Sequence, residues 1–189
     1  MSILNIHKLF LSPDEGWDDL AHTRHAVLKL FVFLVLPFSL IPPLMLEYAG
    51  SHIGAALFPH ASGQAWSVAA FVFLIAELIT VPLMAWAIKS VANSKAIPST
   101  YHEAFTLAAV AAVPLWLSSL ALFSDRIALI LGIVVLGLAG SVALVFRGVE
   151  RVLKVEEGLV AFDIAYVVTA LGLIAWALLI VLGLAPAVA

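Results

Sequence analysis

The chain has 189 residues, 64% of them hydrophobic and only 11% charged, with a formal net charge of −3 and a mean hydropathy of +1.16. A composition this apolar has lipid as its main solvent, which excludes a water-soluble globular protein, and its few charges build no nucleic-acid-binding surface. There is no cysteine, so disulfides, thiolate metal sites and cysteine nucleophiles are excluded as well.

Residues 1–25 are mixed and partly acidic, and do not read as a cleavable signal peptide, because the apolar run after them is long enough to remain as a span. Ile3, Ile6 and Phe10 recur at helical spacing among Asn5, His7 and Lys8, which predicts a short helix lying in the membrane interface. Ser12 then makes a good N-cap, Pro13 suits the first helical position, and Glu15 can close a capping box. Trp17, Leu20, Ala21 and Arg24 follow at i, i+3, i+4 and i+7. Two readings fit this segment. It is a surface anchor that sets the entry of the first span, or its acidic cluster of Asp14, Glu15, Asp18 and Asp19, with Trp17, docks a protein partner at the cytoplasmic face.

Residues 26–189 form one domain of five apolar segments, at about 26–45, 65–88, 104–123, 127–146 and 164–185, each near the ~20 residues that cross the hydrocarbon. The expected fold is all-α: a polytopic membrane protein with a bundle of five transmembrane helices and the short N-terminal interfacial helix before it. Gly50, Gly54, Pro59 and Gly63 punctuate the segment between Glu47 and Gln64 as a loop. Ser124, Asp125 and Arg126 are a connection so short that the third and fourth spans must be antiparallel neighbours. Pro37, Pro42, Pro43, Pro82 and Pro114 each remove a backbone donor, which predicts kinks in the first three spans. Tyr48 and Trp66 fall at one boundary and Trp86, Tyr101 and Tyr166 at the other, as in an aromatic belt. In the fourth span Gly137 and Ser141, and Ala139 and Ala143, are small pairs four residues apart, suited to close helix packing. They make that span either the central helix of the monomer or a face for a homo-oligomer.

Charge sets the orientation. Lys8, Arg24, Lys29, Lys89, Lys95, Arg147, Arg151 and Lys154 sit beside alternate ends of the spans, and of the basic residues only Arg126 falls at the opposite ends. Cytoplasmic segments carry such an excess, so the N-terminus is expected in the cytoplasm and the C-terminus external or periplasmic, in the cell's inner membrane.

Several stretches together resemble the Yip family of small five-span membrane proteins with a cytoplasmic N-terminus. They are Leu11-Ser12-Pro13-Asp14-Glu15-Gly16-Trp17, Tyr101-His102-Glu103-Ala104-Phe105, Pro114-Leu115-Trp116, and Phe146-Arg147-Gly148-Val149 through to Tyr166. Eukaryotic members carry a longer cytoplasmic N-terminal region and are associated with vesicle traffic and Rab-type GTPases. This chain, with residues 1–25 there, looks more like the short bacterial members, for which the resemblance implies a fold and a membrane but no activity.

Three groups of residues are candidates for chemistry. Glu77 lies near the middle of the second span with no Lys or Arg at that depth, so an uncharged acid hydrogen-bonded within the bundle is expected. Thr80 shares its face, and Pro82 frees the carbonyl of Leu78 beside it. Glu77 is then either polar glue between helices or a proton or cation site. At the cytoplasmic boundary His102, Glu103 and Asp163 offer nitrogen and oxygen ligands, but Thr100 with Glu103 fits a capping box and Asp163 suits the N-terminal dipole of the fifth span. No two ligands share a helical face, so no metal and no other cofactor is expected. Arg147, Arg151 and Lys154 recur at i, i+4 and i+7 and can hold anionic lipid headgroups, with Glu150 and Lys154 as an i,i+4 pair.

No Gly-x-Ser-x-Gly elbow, His-Glu-x-x-His helix or phosphate-cradling glycine loop occurs in the chain. Two functions are therefore expected as alternatives. The first is a non-enzymatic membrane protein that organises membrane or recruits a partner at its cytoplasmic face. The second is a small oligomeric transporter or channel using Glu77.

Overall fold

The structure, a computed structural model, describes residues 27–155 and 157–188. Residues 1–26, where the interfacial helix is expected and where Asp14, Glu15, Trp17, Asp18 and Asp19 fall, lie outside the described residues. The described chain is helical, with α1 at Val27–Gly50, α2 at Ile53–Leu57, α3 at Gly63–Ser94, α4 at Tyr101–Ser118, α5 at Ile127–Val152 and α6 at Gly158–Val188. Five of these, with α4 prolonged by a 3-10 turn at Ser119–Phe123, are long and apolar enough to cross a membrane. No strand occurs among the described residues.

The helices run longer than the apolar segments alone predict. α3 has 32 residues, about 48 Å of helix against roughly 30 Å of hydrocarbon, because backbone bonding continues through the interface beyond the last apolar residue. Its start is fixed by Ser62, whose hydroxyl accepts from the Ala65 amide at 3.2 Å. Just past its end at Ser94, Ala96 takes a φ of 59° so that the Ile97 amide can reach back to the Ala92 carbonyl. α4 opens on the expected capping box: the Glu103 amide donates to the Thr100 hydroxyl at 3.2 Å and the Thr100 amide to the Glu103 carboxylate at 2.8 Å.

The prolines act unequally. α1 is broken into an opening turn, a π segment at Phe31–Val35, a turn at Leu36–Ser39 and a final helix at Ile41–Gly50, since Pro37, Pro42 and Pro43 each delete one rung. Pro82 and Pro114 instead lie inside continuous helices. The segment read as a loop contains α2, and its glycines have a packing role. Trp66 is buried beneath them, and a Cβ on Gly50 or Gly54 would run into its ring, at 2.7 Å in the case of Gly54. Trp66 is thus a core residue of this end and not a belt residue, whereas Trp86 and Tyr166 do face outward.

α4 is the most buried of the five spans, with every side chain from Ala104 to Ala111 buried, and it touches α1, α3 and α5. The small residues of the fourth span suggest that it holds the centre; the third span occupies it instead. α5 turns part of its small-residue face onto α4. A Cβ on Gly137 would meet the Pro114 carbonyl at 3.0 Å, and the Ser141 hydroxyl donates to the Ala111 carbonyl at 2.6 Å. Ala139 and Ala143 face outward.

Candidate functional site

α3, α4, α5 and α6 touch one another in ring order and surround a cavity of about 350 Å³. Two contacts set the register of α3 against α6. Met84 lies opposite Gly172, and Phe73 lies so close over Gly183 that a Cβ there would collide with the ring. Along α3 the lining extends from Phe73 to Ile88, about 22 Å at 1.5 Å per residue, most of the hydrocarbon depth. The lining is largely Leu, Ile, Val, Ala and Met.

Glu77 projects into this cavity from α3 with 4% exposure. The side chain of Trp116 on α4 stands beside its carboxyl, with an indole N–H placed to donate to it; Trp116 is 3% exposed and has its ring 6.5 Å from that of Phe38 on α1. The second oxygen, Oε2, is buried without a hydrogen-bond partner in the protein. Thr80 lines the same cavity but donates its hydroxyl to the Ala76 carbonyl of its own helix at 2.7 Å. The partner of Glu77 is therefore an indole from the third span, not a hydroxyl one turn away. A signal for this exists in the sequence: an indole N–H at mid-depth also needs an acceptor, and the third span offers Trp116 at the depth where the second offers Glu77. On α6 the Thr169 hydroxyl is also buried without a partner.

At the other candidate sites the groups separate. Glu103 closes the capping box, and Asp163 forms an ion pair with Lys95, joining α6 to the end of α3. Since α6 begins at Gly158, Asp163 lies in its second turn and faces Lys95, not the helix N-terminus. His102 is half-buried, its Nε2 without a protein partner. Among the described residues no three His, Asp or Glu side chains gather as metal ligands. Arg147, Arg151 and Lys154 are all exposed, the first two on α5. Lys154 lies beyond the helix with a φ of 54°, because the chain turns there to bury Leu153 and Val155. The i,i+4 geometry expected for Glu150 and Lys154 is thereby lost.

An apolar cavity with one acid in its lining, within five lipid-length helices, defines an integral membrane protein with a helical bundle domain. The Yip1 domain family matches residues 8–179, and the chain belongs to that family. No curated protein and no solved structure matches it.

Proposed function

We propose that this Yip1-family protein acts without catalysis, organising membrane or recruiting a protein partner at its cytoplasmic face. The observation that carries this reading is the setting of Glu77. Its surroundings across the cavity are two indoles, a few Ser and Thr hydroxyls and hydrocarbon, a lining suited to packing within lipid. Exposed Arg147 and Lys154 suit anionic headgroups at the same end. The partition of Lys and Arg supports a cytoplasmic N-terminus in the inner membrane.

The test places a photo-crosslinking amino acid at Trp17 in cells. A saturable cross-link to one partner is expected, and it should be lost when Asp14, Glu15, Asp18 and Asp19 are neutralised. A cross-link indifferent to those charges, or none, counts against recruitment through this segment.

One observation favours the alternative, a small oligomeric transporter or channel: the unmet Oε2 of Glu77 inside a cavity. Ion flux into sealed proteoliposomes that disappears in Glu77→Gln, with folding intact, would establish that reading instead.

A further inference from the structure

We propose that the cavity between α3, α4, α5 and α6 is a binding site for one neutral long-chain lipid bearing a hydroxyl group, which hydrogen-bonds to Oε2 of Glu77. The shape and the surface opening identify the chain. The cavity is elongated along the helices, and its lining extends to the outer flank of the bundle: Leu173 lines it and is 43% exposed, while Val134, Leu138 and Ile180 line it half-buried. This flank is at hydrocarbon depth, where alkyl chains are the solvent, so an occupant enters from the bilayer and not from water. An apolar cavity with one or two well-placed polar groups is the usual form of a small-molecule site.

Glu77 identifies the polar group. Its Oε2 is buried without a hydrogen-bond partner on a side chain that is itself 4% exposed and lines the cavity, so the unmet oxygen faces the space a ligand would fill. A buried polar atom left unpaired is costly, and the ligand that meets it gains that difference. A hydroxyl both donates and accepts, so it satisfies Oε2 in either protonation state. A charged headgroup is excluded by desolvation at this depth, with no cationic or second acidic side chain in the lining. The Thr169 hydroxyl makes no comparable demand, because a helical threonine can turn to the carbonyl four residues earlier.

The site rests on the cavity and on Glu77, and is independent of recruitment at the cytoplasmic face. The full chain in nanodiscs is exposed to hexadecanol carrying a diazirine and an alkyne, and in parallel to the matched alkane without the hydroxyl. Saturable labelling of α3 and α6 peptides is expected, with a preference for the alcohol of roughly tenfold, the factor typical of one buried hydrogen bond. Glu77→Gln, which still donates and accepts, should keep the preference. Glu77→Leu should lose it while still labelling with the alkane, which separates loss of the hydrogen bond from loss of folding. Gly172→Phe, which fills the cavity, should lower labelling by both probes. Equal labelling of the wild type by alcohol and alkane, a preference retained in Glu77→Leu, or labelling that does not saturate would overturn the proposal.

Discussion

Glu77 and Trp116 depend on each other. The indole lends the carboxyl its only protein donor among the described residues, and the carboxyl gives the indole an acceptor in a setting without water. Trp116→Phe keeps the ring packing against Phe38 but leaves the acid without that donor, and should destabilise the protein by about 1–3 kcal/mol. Glu77→Gln should be close to neutral, and Glu77→Ala should lose more than Gln does; thermal denaturation in detergent ranks the three. A result in which Trp116→Phe is as stable as wild type would show that the bond contributes nothing. Gly183 is a second residue with a sharp expectation. Its alanine variant drives a Cβ against Phe73, an overpacking that should cost about 1–3 kcal/mol. Adding Phe73→Leu should return part of that loss, and the double-mutant cycle measures it. Neither pair is visible in local sequence, since each joins residues on two different helices, consecutive ones for Glu77 and Trp116 and the second and fifth spans for Phe73 and Gly183.

At the scale of elements, the composition of α4 suits the central position that packing gives it. It is apolar or small on every side, as a helix buried all round must be, whereas α5 places Gly137 and Gly140 on the face toward Pro114 and exposes Val135 and Leu136. Gly137→Val should separate these helices and lower thermal stability clearly, while Ser141→Ala should cost only about 0.6 kcal/mol, typical of interhelical hydrogen bonds in lipid. The Lys95–Asp163 pair is 42% and 51% exposed at its side chains. Lys95→Ala should therefore change stability by less than about 1 kcal/mol, and less still in high salt. The prediction fails if the variant loses the fold. The capping box was legible in the sequence because Thr100 and Glu103 are three residues apart. The role of Asp163 was not, because its partner lies on another helix.

For the whole molecule, orientation is the main expectation. Reporter fusions after Ser94 and after Ala189 should report opposite sides of the membrane, and finding both on one side would contradict an odd number of spans. Five helices of lipid length, the antiparallel pairing across residues 124–126 and membership of a membrane family were all determined by the sequence itself, since hydropathy, length and terminal signals are local properties. Only the tertiary structure decided which span is central, that Trp66 sits beneath two glycines, that Trp116 meets Glu77, and that four helices leave an apolar cavity between them. In lipid both faces of every span are apolar. Hydrophobic pattern therefore cannot tell the inward side of a helix from the outward one, and small residues, prolines and single polar groups settle the packing only when the helices meet.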